Sequence, residues 1–368
     1  MKIVVVGASG NVGTAVLRAL RKAGDVDEVV GLARRIPPRP PPAPYDTAIW
    51  RAVDVGDLDG TRAITTLASA MAGADAIIHL AWAIQPNHDR ERLRRTNVLG
   101  TARMLEAARL AGVENVVVAS SVGAYSPDAG AGLRDEAWPT RGVETCEYSV
   151  DKAAVERLLD EHERDYPQVT ITRLRPALIF QRDAGSQIVR YFVGHALPPR
   201  VWRGGAPVLP WPSGIKLQAV HADDVASAYL AAVRLRPGGA FNIAAVDVLG
   251  ASEVARLLSG GRVVEVPPAL ARAAISAGWN ARIVPTSPGW IDMARAAPLM
   301  STARAKSELG WSPARSAYDT VAEVMLGMAD GAGTASPPLR PRSRTALKHV
   351  VLRRRRGEVK VPPHRLFG

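Results

Sequence analysis

The chain opens on an arrangement with few structural solutions. The apolar run Ile3-Val4-Val5-Val6 passes directly into Gly7-Ala8-Ser9-Gly10-Asn11-Val12-Gly13, and helical periodicity follows from Val12 to Ala23. A strand that ends in spaced glycines and re-enters as a helix can hold a pyrophosphate. Gly7 permits the tight turn, Gly10 lets backbone approach a ligand, Gly13 allows close helix packing, and the helix N-terminus offers unpaired N–H groups. Val29 to Leu32 is apolar again, so the first 35 or so residues predict a βαβ unit.

The alternation continues. Trp50 to Val53, Ala76 to Leu80 and Val116 to Ala119 read as further strands, separated by helical segments such as Glu91 to Ala111. Strands alternating with helices imply an α/β fold: a Rossmann-like, doubly wound parallel sheet. The stretch Ile36-Pro37-Pro38-Arg39-Pro40-Pro41-Pro42-Ala43-Pro44 lacks most backbone donors and predicts an exposed loop after the second strand.

Beyond Pro176 the sequence becomes rich in Gly, Pro and Trp, yet Asp223 to Leu235 is helical and Ala240 to Ile243 is apolar, so the chain is expected to return to the main sheet there. The expected organisation is a dinucleotide-binding domain over residues 1–180, rejoined by 219–246. A smaller interleaved substrate lobe takes residues 181–218 and 247–330, and a disordered basic tail 331–368.

Charge supports that division. Of the formal +12, residues 331–368 carry ten Lys/Arg against one Glu, a net +9, which leaves +3 for the body. A solvated appendage is the preferred reading of the Arg353-to-Arg356 cluster over a contact with nucleic acid or anionic lipid. Deleting residues 331–368 is expected to leave turnover intact. No apolar run reaches the ~20 residues of a membrane span, which points to a soluble, cytoplasmic protein. The single cysteine, Cys146, excludes an intrachain disulfide, and His79 and His221 lack partners at zinc-like spacing, so no metal site is expected.

Downstream of the glycine loop, Val117-Val118-Ala119-Ser120 ends in Ser121, and Tyr148 and Lys152 follow in Tyr148-Ser149-Val150-Asp151-Lys152. Residues four apart share a helix face, which brings an ammonium near a phenol. Moving the phenol from about 10 to neutrality needs roughly 4 kcal/mol of preference for the phenolate. Lys152 and a positively charged nicotinamide are the expected sources.

In this order, the Gly-x-x-Gly-x-x-Gly loop, Asp54-Val55, His79-Leu80-Ala81, Thr96-Asn97-Val98-Leu99-Gly100-Thr101, Ser121, Tyr148, Lys152, Arg175-Pro176, His221-Ala222-Asp223-Asp224-Val225 and Leu309-Gly310-Trp311 resemble the extended short-chain dehydrogenase/reductase superfamily. The nearer resemblance is to its NAD-dependent epimerase/dehydratase branch, over roughly 325 residues. The resemblance implies that Tyr148 exchanges a proton with the substrate oxygen, Ser121 hydrogen-bonds that oxygen, and Lys152 also binds the nicotinamide ribose. Asn97 holds the helix or a relay water. Cofactor contacts are implied for Gly7, Ser9, Gly10, Asn11, Val12, Gly13, Asp54, Val55, Leu80, Ala81, Tyr148, Lys152 and Pro176. A homodimer through the helices around Glu91 to Ala111 and Lys152 to Glu163 is implied as well.

The second strand ends in Leu32-Ala33-Arg34-Arg35, with no carboxylate to accept from a 2′-hydroxyl and guanidiniums that suit a 2′-phosphate, so NADP is expected over NAD, with Arg34 among the contacts. Sugar-nucleotide epimerases commonly carry an asparagine where this chain has Ala177-Leu178-Ile179, and an arginine where it has Leu217. Trp202, Trp211, Trp279 and Trp290 suit a lipophilic or ring-shaped substrate instead. The expected activity is therefore hydride transfer between nicotinamide and a carbonyl or secondary alcohol of a lipophilic small molecule. The alternatives are a nucleotide-sugar 4-epimerase and a non-catalytic dinucleotide sensor or scaffold, the latter disfavoured by the intact Ser121, Tyr148 and Lys152.

Overall fold

The computed structural model describes residues 1–128, 130, 132–194 and 197–342. Seven parallel strands form the central sheet: β1 (Lys2–Val6), β2 (Glu28–Ala33), β3 (Ile49–Ala52), β4 (Ala76–His79), β5 (Asn115–Ala119), β6 (Thr170–Pro176) and β7 (Gly239–Ile243). Their spatial order is β7-β6-β5-β4-β1-β2-β3. The order reverses between β1 and β4, so a crevice opens at the C-terminal ends of those two strands.

Register follows from burial. Ile3, Val4, Val5 and Val6 face Val29 to Leu32 on one side and Ala76 to His79 on the other, and β1 is buried on both faces. Two apolar layers result. Ile3, Val5, Leu17, Leu20, Val225, Tyr229 and Phe241 fill one, where helix α1 (Asn11–Lys22) meets a later helix, Ala222–Leu235. Val4, Val6, Leu67, Met104, Leu105 and Leu159 fill the other, beneath α2 (Gly60–Met71), α3 (Gly100–Leu110) and α4 (Glu147–Asp165).

The strand expected from Ala240 to Ile243 does return to the main sheet, pairing with β6 from Gly239↔Thr172 to Ile243↔Pro176. Residues 178–180 and 217–221 pair in a second small sheet, and 209–212 pairs with 263–266. The proline-rich segment forms no strand or α-helix, as expected, but it is anchored on both sides: Pro37 near its start is buried, and so is Tyr45 in the 3-10 turn that follows.

The C-terminal expectation needs a correction. Residues 331–342 fold back onto the body, with Ser336 and Leu339 fully buried. Composition pointed to a solvated segment because it counts few large apolar residues, whereas this stretch is held through backbone and hydroxyl groups. The Arg353-to-Arg356 cluster lies outside the described residues.

Candidate functional site

The glycine loop occupies the switch point. Gly7 has φ +91°, and a Cβ there would stand 2.6 Å from the Ala81 nitrogen, so β1 turns directly against the chain leaving β4. Gly13 is closed by its own loop, since a Cβ would meet the Ala8 oxygen at 2.5 Å. At Gly10 the nearest atom is the Gly7 oxygen at 3.3 Å, which leaves the outer side open. Among the described residues no side chain caps α1. Its first-turn N–H groups, at Asn11, Val12 and Gly13, thus remain available to an anion. The Asn11 carboxamide is engaged elsewhere, donating to Ile179 O and accepting from Gln181.

The loop after β3 is held just as firmly. Asp54 accepts from Gly56 N at 3.0 Å, and Arg103 donates to the carbonyls of Val55 and Asp57. Arg34, exposed at the end of β2, reaches to 3.7 Å from the Asp54 carboxylate. Arg34, Asp54 and Val55, three of the expected cofactor contacts, thus lie together. Pro176 closes β6 at the same C-terminal edge from which Leu80, Ala81 and Ser121 emerge.

Tyr148 and Lys152 stand on α4, one turn apart. Lys152 is buried, donates from Nζ to Ala119 O at 2.7 Å, and sits 3.5 Å above the Trp82 ring. Burial lowers it to about 7, opposed by Glu156 and Asp151. The Tyr148 ring lies against Gly123, where a Cβ would be 2.8 Å from Cε1. Trp82 packs its edge at 5.8 Å and Trp290 lies tilted at 5.0 Å, with Phe192 behind Trp290. Burial pushes the Tyr148 phenol up to about 12, and the Ser121 hydroxyl beside it opposes the rise.

Among the chain's own groups, burial outweighs any pull of Lys152 on the phenol. The ammonium is spent on Ala119 O and the Trp82 face, 5.9 Å from the Tyr148 ring, and apolar surroundings dominate both groups. By the chain's own groups, the Tyr148 phenol stays neutral near pH 7. Ser121 is buried beside it at the end of β5, its Oγ accepting from Gly123 N at 3.0 Å.

Asn97 lies in a π-type turn, Arg95–Leu99, within the helical segment that runs from Arg90 into α3. Its Oδ1 accepts from Ala83 N at 2.8 Å and its Nδ2 donates to Asp151 at 3.2 Å, where Arg90 also binds. Asn97 therefore ties the loop carrying Trp82 to α4, and its side chain hydrogen-bonds to Ala83 and Asp151 and not to Ser121, Tyr148 or Lys152.

Of the four tryptophans singled out, Trp290 reaches Tyr148 and Trp279 stacks on His88 at 4.0 Å, while Trp202 and Trp211 pack in a separate apolar cluster. Gly289 makes the first possible: a Cβ there would stand 2.2 Å from Thr145 O, so the helix Gly289–Ala296 crosses directly over the start of α4. Sequence reasoning passed over Trp82 and Phe192. Trp82 had a local signal, since it directly follows Leu80-Ala81 at the end of β4, and Phe192 had none.

His79 is fully buried and held neutral, lowered to about 3 by burial, with Nε2 at 3.1 Å from Thr101 Oγ1. His221 caps the helix Ala222–Leu235, accepting from Asp223 N. His79 is thus a packing residue and His221 a helix cap.

An open helix N-terminus at the switch point of a parallel sheet defines a Rossmann-like dinucleotide-binding protein. Within that class the chain belongs to the NAD dependent epimerase/dehydratase family, whose pattern matches residues 3–244. It is 27% identical over 331 residues to an uncharacterized protein of Mycobacterium tuberculosis, covering 89% of this chain and 30% of that one. The chain thus spans under a third of the length of that relative. It is 33% identical over 159 residues to sterol demethylase protein B of Methylococcus capsulatus, covering 42% of this chain and 45% of the other. Among solved structures, the UDP-N-acetylglucosamine 4-epimerase of Bacillus cereus shares the fold, with a TM-score of 0.64 at 21% identity, covering 89% of this chain and 99% of that one. No helix among the described residues is long and apolar enough to cross a membrane.

Proposed function

We propose that the chain is a nicotinamide-dependent oxidoreductase that interconverts a carbonyl and a secondary alcohol on a lipophilic small molecule, with NADP as cofactor. The observation that carries this reading is the aromatic enclosure of Tyr148 by Trp82, Trp290 and Phe192. Such surfaces gain by covering apolar rings and aliphatic chains, and they exclude water from the reacting atoms. Segments 181–218 and 247–330 supply Phe192, Trp279 and Trp290 and act as the substrate lobe. A cytoplasmic location and a homodimer through α3 and α4 complete the reading, the latter supported by Leu99 and Leu110, which stand exposed on or beside α3.

The nicotinamide supplies or accepts the hydride when bound. The chain does the rest: the amides of Asn11 to Gly13 hold the pyrophosphate, Lys152 meets the ribose, Ser121 orients the substrate oxygen, and Tyr148 O–H gives that oxygen its proton during reduction. Because Tyr148 stands at about 12, carbonyl reduction is expected to show no loss from this group between pH 6 and about 9. Alcohol oxidation needs the phenolate and is expected to climb with pH over the same range, by up to about tenfold per unit. Initial rates in both directions across pH check the sign.

Arg34 and Arg35, exposed beyond β2, support NADP. Arg34→Glu is expected to weaken NADPH about tenfold or more, because it removes a charge-assisted contact, while NADH changes little. Fluorescence titration of the two dinucleotides measures this, and tighter NADH binding by the unaltered chain sinks the NADP assignment.

A second reading, nucleotide-sugar 4-epimerisation, is favoured by the fold shared with the Bacillus cereus enzyme. NADPH oxidation across a panel of lipophilic ketones and aldehydes tests the first reading. Turnover of a UDP-sugar without net cofactor oxidation would replace it with the second.

A further inference from the structure

The C-terminal segment 331–342 crosses back to the glycine loop and reaches it by two separate hydrogen-bond routes. Ser336 Oγ donates to Ser9 O at 2.5 Å. Thr334 Oγ1 meets Tyr45 OH at 2.6 Å, Tyr45 OH meets Thr14 Oγ1 at 3.0 Å, and Thr14 Oγ1 donates to Gly10 O at 2.8 Å. Each hydroxyl has one proton, so the Thr14 bond sets the direction: Thr334 donates to Tyr45, and Tyr45 to Thr14. Both routes end on carbonyls, and those carbonyls are consecutive in the loop.

The Ser9–Gly10 peptide is consequently held at both ends. Its C=O accepts from Ser336, and its N–H donates to Gly7 O at 3.0 Å. The plane of that peptide sets the direction of the next amides, at Asn11 and Val12, which are the groups open to a pyrophosphate. Ser9, Thr14, Tyr45 and Ser336 are all buried, so water does not replace a lost bond at little cost.

The far side of the segment is anchored on the lobe. Ser186 N donates to Ala332 O at 3.0 Å, Arg342 N donates to Ser186 Oγ at 3.0 Å, and the Arg190 guanidinium donates to the carbonyls of Pro338 and Arg340 at 2.7 and 2.8 Å. Arg190 shares its helical turn with Phe192, which packs on Trp290 above Tyr148.

We infer that residues 331–342 are a clasp that positions the dinucleotide-binding loop, with Ser336 and Thr334 as positioning residues for the pyrophosphate site. This rests only on the chain's binding a dinucleotide, and not on the substrate or on NADP.

Ser336→Ala is expected to raise the Kd of both NADH and NADPH about three- to tenfold, since one buried bond orients the cradle without touching the ligand. At saturating dinucleotide, kcat is expected to stay within about twofold, so the loss appears in KM for the cofactor. Thr334→Val keeps the side-chain shape, removes only the hydroxyl and is expected to give the same pattern should Ser336→Ala fold poorly. In the chain without dinucleotide, amide exchange at Gly10 and Thr14 is expected to quicken about tenfold in Ser336→Ala, with core strands unchanged. A lowered Tm with unchanged Kd, or unchanged exchange at these amides, would overturn the clasp. Preferential NADH binding by the unaltered chain removes only the NADP assignment, because the Ser336 effect is read on both dinucleotides.

Discussion

Tyr148→Phe is expected to lower kcat/KM for carbonyl reduction by about 10²–10⁴-fold, the range contributed by a positioned proton donor. The dinucleotide Kd is expected to hold within about twofold. The ring keeps its seat against Gly123, Trp82 and Trp290, and the substitution removes one oxygen. Steady-state kinetics alongside a dinucleotide titration separate the two effects. Activity equal to that of the unaltered chain would take the proton-donor role away from Tyr148, and the aromatic enclosure would then have to serve binding alone.

The largest effect on stability is expected at Glu156. Its carboxylate is fully buried on α4, one turn beyond Lys152, and accepts from Arg175 Nε and Nη2 at 2.9 Å each, from Arg173 at 3.1 Å and from Ser120 Oγ at 2.5 Å. Glu156→Gln keeps the volume but leaves two buried guanidiniums without their shared counter-charge. The expected loss is about 3–5 kcal/mol, read as a fall of roughly 4–7 °C in Tm. A change below about 1 kcal/mol in denaturant unfolding would show that Asp160 and Glu163, the other carboxylates on Arg173, are sufficient partners.

The same site dictates acid sensitivity. Burial works to raise Glu156, but Arg175, Arg173 and Ser120 prevail and hold it below the ordinary 4.5. The unfolded chain binds that proton more readily, so the stabilisation is complete above pH 4.5 and is lost as pH falls through the lower folded value. Glu156→Gln is therefore expected to flatten the acid limb of the stability profile.

Much of this was legible in the residues. The strand, glycine loop and helix, the alternation to β5, and the return of Ala240 to Ile243 to the sheet all depend on neighbours close in sequence, where periodicity and glycine spacing speak directly. Ser121, Tyr148 and Lys152 were identified on motif order, and the structure places them together at the C-terminal edge of the sheet. Trp82 and Phe192 were not identified, because their meaning comes from packing on Tyr148 and on Trp290. The segment after Gly331 was read as appendage because composition sees few large apolar groups. The Ser336 hydroxyl is held by a carbonyl 327 positions away. Deleting residues 331–368 would therefore remove a packed segment, 331–342, along with the tail.

The sequence by itself determined a parallel α/β sheet with a glycine-rich dinucleotide cradle and the Tyr148/Lys152 pair on one helix face, since each is encoded by residues within a few turns of one another. Only the tertiary structure decided how that pair is tuned. Burial opposes charge on both Tyr148 and Lys152, and low polarity around a group is a property of chain segments that meet in space and carry no local pattern.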